Sequence, residues 1–491
     1  MTDQLDSRAT DGAAGGGPET GRRAARHAVV IGGGVAGLLT ARSLAAHAER
    51  VTVVERDRLP QEAEPRAGVP QGRHIHVLLE AGQRAMDELL PGVTEELRAA
   101  GAPRVGVPGD MIQWQHGSWI WRTEPTHHFL CGSRPQLEHA VRRRVLADPR
   151  VDVLEGTETV GLAGDAARVR GVLVRERGTA GRETEPRLLA ADLVVDASGR
   201  GSKAPEWLAA IGAEPPREET LDTGLAYATR VYRNERHFDD TDALGTYIVP
   251  NPGQTHTAVV LPMEDGRFLV TLAGLRGDEP PTDEKGFEAF TEAFPDPLVR
   301  DWVTKAQPDS PVYGFRNTAN VRRRYDLPGR RPAGFLVTGD ALCTFNPIYG
   351  QGMSVGALGA VALRDALGDR RRTPSTARVQ RALFQVSRQA WAISAGADRK
   401  MPGATGNAAR TSAMERPASW YLARVQARAG GHPVVGAAFR DVLNLVRPVS
   451  RLFAPEVARA VLLGPEPPVR VRPPLRRTID DVAGMAGPGA W

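Results

Sequence analysis

The apolar run Ala28-Val29-Val30-Ile31, followed at once by Gly32-Gly33-Gly34-Val35-Ala36-Gly37, constrains this chain more than any other stretch. Gly32, Gly34 and Gly37 have the G-x-G-x-x-G spacing of a strand, a tight turn and a helix. Glycine is needed there because the chain must turn sharply, let a pyrophosphate approach its backbone, and pack helix on strand. The helix N-terminus then offers free N–H groups and partial positive charge to the phosphates. A second run, Val51-Thr52-Val53-Val54, ends in Glu55, near the ~20-residue separation at which an acid accepts the ribose hydroxyls of an adenosine. Strand, glycine turn, helix, strand and acid together read as a βαβ dinucleotide-binding unit.

At 491 residues the chain exceeds one ordinary core, and two or three domains are expected. Lys+Arg number 63 against 58 Asp+Glu, a net charge of +5 with basic residues scattered among acids; no nucleic-acid partner is indicated. Lysine occurs only at Lys203, Lys285, Lys305 and Lys400. Cys131 and Cys343 are far apart and in no C-x-x-C pair, so neither a disulfide framework nor a metal site is expected. No apolar stretch approaches the ~18 residues that cross a bilayer. These features lead us to expect a soluble, cytoplasmic protein.

Along the chain, residues 1–26 read as a disordered tail, 27–215 and 326–375 as a discontinuous cofactor domain, and 216–325 as an inserted sheet. Residues 376–470 read as helical and 471–491 as a second tail. Helices are expected over Val35–Glu49, Val77–Leu90 and Arg134–Leu146, the last carrying Arg142-Arg143-Arg144 on a solvated face. The connection from Arg56 to Arg73 holds three prolines and is long and irregular, as functional loops often are; both flanking arginines are candidate cofactor ligands. Leu193-Val194-Val195-Asp196 is a buried strand ending in an acid, followed by Ala197-Ser198-Gly199-Arg200. Asp196 is thus a second candidate for facing phosphate or ribose.

Some 300 residues after the glycine turn comes Gly339-Asp340-Ala341, continuing through Pro347-Ile348-Tyr349-Gly350-Gln351-Gly352-Met353. The two segments read as the two ends of one FAD site. Gly350 and Gly352 admit close backbone approach, and Met353 opens a helix running through Leu363. That helix N-terminus would point at the flavin N1 and C2 carbonyl, a dipole contact worth roughly 0.3–2 kcal/mol to the reduced anionic flavin.

Over roughly residues 27–375 these motifs resemble the group A flavoprotein monooxygenases of the p-hydroxybenzoate hydroxylase-like fold: the glycine fingerprint with Glu55, the Asp196 motif, and Gly339-Asp340 followed by Pro347, Gly350 and Gly352. The fold implied is α/β, a Rossmann-like FAD-binding domain interleaved with a β-sheet substrate domain, plus C-terminal helices. Within that family, Val69-Pro70-Gln71-Gly72-Arg73-His74-Ile75-His76 and the stretch from Ala341 to Met353 look like the actinobacterial polyether epoxidases of the monensin and lasalocid type. The resemblance implies that Glu55 binds the adenosine ribose, Arg134 the pyrophosphate or ribityl chain, and Asp340 a ribityl hydroxyl. It implies that the backbone near Val160 faces adenine and that Pro347, Tyr349, Gly350, Gly352 and Met353 line the isoalloxazine ring.

The activity so implied is oxygenation: NADPH or NADH reduces FAD, dioxygen adds at flavin C4a, and one oxygen passes to an electron-rich π bond. No protein nucleophile is required, and no acid–base residue is assigned. Epoxidation of a hydrophobic polyene or polyketide in secondary metabolism is favoured. Hydroxylation of a phenol and reduction of a double bond by the same fold are the alternatives. The family reads Asp-Gly at its second acid, but here Ala197 follows Asp196, which leaves open whether the reductant docks directly or acts through a separate flavin reductase. Trp119-Ile120-Trp121 resembles the tryptophan motif of flavin halogenases, yet Arg122-Thr123-Glu124-Pro125 does not continue it and no lysine lies between the fingerprint and Lys203. Halogenation is therefore not expected. The apolar spacing of Val434–Leu463 fits either a cap over a hydrophobic channel or a packing helix that closes the fold.

Overall fold

The parallel register of one five-stranded sheet gathers most of the motifs. In the computed structural model, which describes residues 25–178, 185–234, 238, 241–327, 329, 331–410 and 413–476, that sheet contains β1 (Ala25–Ile31), β2 (Ala48–Val54), β3 (Val151–Leu154), β4 (Leu193–Asp196) and β5 (Phe335–Val337). The order is β5-β4-β1-β2-β3, all parallel. Ile31 lies beside both Val54 and Asp196, and Asp196 beside Val337. Gly32, Glu55, Ala197 and Thr338 therefore leave the sheet along one carboxyl edge, where open α/β sheets bind ligands. The strands are nearly continuous apolar runs because both faces are covered; Val29, Val30, Val53, Val194, Val195 and Val337 are all fully buried.

Helix α1 (Val35–Leu44) follows the glycine turn and packs on α2 (Arg134–Leu146) and α3 (Gly352–Gly368). Small residues allow the approach to α3: a Cβ on Gly356 would lie 3.2 Å from the Ala36 methyl, and one on Gly339 2.9 Å from it. The Ser43 hydroxyl donates to the Ala360 carbonyl at 2.7 Å. The two glycine motifs, distant in sequence, thus meet through Ala36. Helix α3 begins at Gly352, one residue earlier than the sequence suggests, and runs to Gly368.

A larger sheet takes Ala226–Arg233, Arg267–Gly274, Thr257–Pro262 and Gly245–Ile248 as antiparallel neighbours. It extends beyond the inserted segment, since Gly245–Ile248 pairs in parallel with Met111–Gln115, which pairs with Ser118–Trp119. Its core packs Tyr232, Phe268, Phe287 and Trp302 beneath it. The helix expected over Val77–Leu90 is corrected: Val77–Leu78 is a short strand on His127–Cys131, Leu79 is extended, and the helix spans Glu80–Leu89. The cross-strand pairing of Val77 with Cys131 overrides the helical spacing that continues through it.

After α3 come α4 (Thr376–Asp398), α5 (Arg416–Ala429), α6 (Pro433–Leu443) and a short helix over Pro455–Leu463. No helix among the described residues is long and apolar enough to cross a membrane. Residues 1–24 and 477–491, the greater part of the two expected tails, lie outside the described residues. The described stretch before residue 477 lies along the Trp119–Arg122 edge: Arg470 donates to the Trp119 carbonyl at 3.0 Å, its guanidinium stacks 3.5 Å from the Trp121 ring centroid, and Arg476 pairs with Asp110 and Asp242. Trp119-Ile120-Trp121 therefore serves as a packing edge.

Candidate functional site

At one end of the cleft the glycines are held by close backbone contacts. Gly32 has φ 99° and a Cβ there would sit 2.7 Å from the Ala197 carbonyl oxygen, while a Cβ on Gly37 would sit 1.9 Å from that of Gly32. Gly34 differs, because the atoms nearest its Cβ position are terminal guanidinium nitrogens of Arg66 and Arg134, both 3.9 Å away. Gly34 also begins α1 without a side-chain cap, so the first N–H groups of the helix remain available. A helix N-terminus walled by two guanidinium groups is a site for a doubly charged pyrophosphate.

The Glu55 side chain is buried beside that turn. Its Oε2 accepts from the Gly33 N–H at 2.7 Å, its Oε1 accepts from the Asp57 N–H at 2.9 Å, and Arg66 stands 3.3 Å away. An ionised carboxylate has about four lone-pair positions, so Oε2 retains room for a ribose hydroxyl. Arg66 is itself fixed by Asp57 at 2.9 Å and Glu138 at 2.6 Å, and Glu138 also receives Arg134 at 3.2 Å. The strand Thr157–Gly164 starts at Glu55, with the Thr157 N–H donating to the Glu55 carbonyl at 2.9 Å. It bulges at Val160, since Thr159 pairs with Val174 but Gly161 with Leu173.

Toward the other end, Asp340 lies in a 3-10 turn beside the start of α3, its Oδ1 3.7 Å from the Cβ position of Gly352. Burial pushes its carboxyl pKa up, opposed by the nearby cations Arg200 and Arg134. Gly350 takes φ 64° and its Cβ position is 2.6 Å from Val77 Cγ2, so the loop can pass that close only with glycine. A continuous line therefore runs from Glu55 through Gly33, Gly34 and Arg134 to Asp340, Gly352 and Gly350. Met353 follows, facing a small pocket shared with His76 and Cys131.

Three further expected ligands make contacts within the protein. Asp196 is fully buried, with its Oδ1 accepting from the Ser198 N–H at 2.9 Å and its Oδ2 from the Ser202 hydroxyl at 2.5 Å. It shapes its own loop instead of facing a ligand. Arg73 is exposed and stacks on Tyr313 at 4.7 Å. Arg56 is exposed, reaching the Gly68 carbonyl at 3.5 Å.

Past Pro347–Gly350 opens a cavity of about 420 Å³. The large sheet forms one wall with Tyr227, Tyr247 and Val259, the loop Pro347–Gln351 forms the floor, and α4, α5 and α6 form the roof. His74 enters it 4% exposed, edge-on to Tyr227 at 4.7 Å, with Nδ1 2.8 Å from the Thr229 hydroxyl. Burial, and next the charge of Arg73, push its pKa down to about 4. The floor is tied to α4 by a group the sequence did not reveal. Asp398, 2% exposed, accepts from Tyr349 Oη at 2.6 Å, Asn346 Nδ2 at 3.0 Å and Asn320 Nδ2 at 2.6 Å.

A buried acid beside the glycine turn, two guanidinium groups at a helix N-terminus, an acid at the start of α3 and a second glycine turn beyond it suit the chemistry of FAD. The FAD binding domain family matches residues 26–381. The chain belongs to that family. It is 34% identical over 384 residues to Protein Rv3254 of Mycobacterium tuberculosis, covering 76% of this chain and 80% of that protein. It is 29% identical over 357 residues to kynurenine 3-monooxygenase of Salinispora tropica, covering 69% and 72%. Among solved structures, the flavin-dependent brominase Bmp2 superposes with TM-score 0.60 at 16% identity over 85% of this chain and 93% of that one, a likeness of fold alone. Nothing in the sequence marks Glu138 or Asp398 as a site residue, whereas the roof's α6, but for its first residue, falls within Val434–Leu463, the segment expected either to cap a channel or to close the fold. The one signal for Arg66 was its place in the long connection after Glu55.

Proposed function

We propose that this protein inserts one oxygen atom from dioxygen into a hydrophobic, unsaturated substrate, and that epoxidation of an alkene is its reaction. The carrying observation is the cavity's lining, which holds no carboxylate among the described residues. Its one buried histidine, His74, has a pKa of about 4, too low to ionise a phenol efficiently. An isolated alkene needs no base. Bound FAD would supply the reduction of dioxygen and the transfer of one oxygen. The chain's own part is to seat FAD with Glu55, Arg66, Arg134 and Asp340, to present it at Pro347–Gly350, and to keep water from an apolar cavity. NADPH or NADH serves as the source of electrons, directly or through a flavin reductase, and a polyene or polyketide of secondary metabolism fits the cavity's size and polarity.

Hydroxylation of an aromatic ring, a phenol among others, is the second reading, and the similarity to a kynurenine 3-monooxygenase favours it. Incubating the FAD-loaded enzyme with reductant, heavy-isotope dioxygen and paired alkene and phenol substrates decides between them. Label in an epoxide supports the proposal. Label only in a catechol replaces it with the second reading, and a saturated, unlabelled product would identify a reductase.

A further inference from the structure

The cavity roof carries two cations that form no ion pair among the described residues. Arg440 of α6 and Lys400, just beyond α4, both line the cavity. Several buried arginines here have carboxylate partners: Arg66 with Glu138, Arg122 with Asp242, Arg230 with Glu284 and Arg323 with Glu218. Arg440 instead donates through Nε to the neutral Thr126 hydroxyl at 2.9 Å. The carboxylate next to it in sequence, Asp441, is engaged by His127 at 3.2 Å and Arg451 at 3.6 Å. Lys400 Nζ donates to the Gln426 amide oxygen at 3.1 Å, again a neutral partner. Among the described residues neither cation has a carboxylate within ion-pair distance.

Arg440 is half-buried and Lys400 exposed, so both charges are partly solvated in the free protein and open to an anion that enters the cavity. Burial pushes the Arg440 pKa down to about 10, opposed by the nearby charge of Asp441, and the Lys400 pKa downward as well. Both residues lie beyond 381, where the family match ends. They belong to the part of the chain that distinguishes this protein's cavity from the shared FAD scaffold.

Resting on the oxygenase reading above, we infer that the substrate is a lipophilic acid: an unsaturated apolar body carrying one anionic group, a carboxylate or its equivalent. Arg440 is its principal anchor, because a guanidinium fork whose terminal nitrogens have no protein acceptor among the described residues suits a planar carboxylate. Lys400 supplies a second positive charge on the roof. Held by its acidic end there, the apolar body extends toward the Pro347–Gly350 floor.

The test uses the full-length, FAD-loaded protein with decanoate and 1-decanol as probes of matched chain length, read by perturbation of the flavin absorption spectrum and of tryptophan fluorescence. Decanoate should bind at least about tenfold more tightly than decanol, as expected for a charge-assisted hydrogen bond of roughly 1.5–3 kcal/mol. Arg440→Gln should remove most of that preference while leaving decanol affinity unchanged. Lys400→Gln, a change on the exposed end of the roof that does not threaten folding, should reduce it severalfold. Equal affinities in the wild type, no binding of decanoate, or a preference that survives both substitutions would each overturn the inference. If the purified protein takes up FAD and yet ignores the charge, only the lipophilic-acid assignment fails. If it takes up no FAD, the oxygenase reading fails first.

Discussion

The sheet edge and the helical roof face the same cleft but hold it by opposite means. At the edge, position is set by backbone: Gly32 and Gly37 pack where a Cβ would meet a carbonyl oxygen at 2.7 and 1.9 Å, and parallel pairing aligns Ile31, Val54, Asp196 and Val337. In the roof, position is set by side chains. Asp398 reaches back to Tyr349, Asn346 and Asn320 and so fastens the floor loop to α4. Backbone-set geometry tolerates little substitution. Side-chain-set geometry can be altered one residue at a time.

The largest expected effect tests the side-chain half of this contrast. Asp398→Leu leaves three donors without an acceptor, each costing about 1–3 kcal/mol, so urea unfolding should show a loss of roughly 3 kcal/mol or more. Because those donors hold the Pro347–Gly350 loop, the flavin spectrum of the surviving holoenzyme should shift as well. If stability and spectrum both stay at wild-type values, the floor does not depend on the roof.

A comparable effect is expected from acid, through the wall. The pKa of His74 is pushed from the ordinary 6.5 down to about 4, so the folded state binds this proton less readily than the unfolded chain. The stability contributed by neutral His74 is complete above pH 6.5 and is lost as pH falls toward 4, at up to about 1.4 kcal/mol per pH unit. In His74→Asn that part of the slope should vanish. Parallel pH profiles for the two proteins would show that His74 is not held neutral by its surroundings.

At the sheet edge the corresponding change is Gly37→Ala, which forces a methyl against the Gly32 carbonyl. Overpacking of this kind costs about 1–3 kcal/mol, less than the loss at Asp398. Its consequence for the cofactor should nevertheless be sharper, because the turn that presents α1 to the pyrophosphate must move. Purified Gly37→Ala should carry little FAD while retaining most of its helical signal. Stoichiometric FAD in that variant would remove the distinction between a rigid edge and an adaptable roof.

The same contrast explains what could be read from the sequence. The Gly32–Gly37 turn, Glu55 and the Gly339–Met353 segment were legible because each requirement is local: a strand, then a turn only glycine permits, or an acid at a strand end. Asp196 meets the same local rule yet turns inward, because Ser198 and Ser202 follow it closely enough to take both its oxygens. An acid at a strand end followed by serines can cap its own loop, and spacing alone does not separate the two outcomes. Arg66 was hidden among the many arginines of an irregular segment, and its identity as a site residue depends on Glu138, 72 positions away. Asp398 is hidden for the same reason, since its partners are 49, 52 and 78 positions distant. Met111–Gln115 joined the large sheet through a parallel pairing with Gly245–Ile248, a long-range choice that alternation within five residues does not reveal.

The smallest expected effect lies at the rim, where the C-terminal stretch meets the Trp119–Arg122 edge. Arg470 stacks 3.5 Å from the Trp121 ring centroid and donates to the Trp119 carbonyl, and a cation–π contact near the surface is worth about 0.5–1 kcal/mol. Arg470→Lys keeps the charge but loses the planar stacking, so it should cost less than Arg470→Ala, with both within about 1 kcal/mol. Neither substitution touches the sheet edge or the cavity floor, so FAD content should remain at the wild-type level in both. A loss of FAD from Arg470→Ala would show that the rim transmits to the cofactor, and the roof would then be part of the same rigid frame as the edge rather than a separable cover.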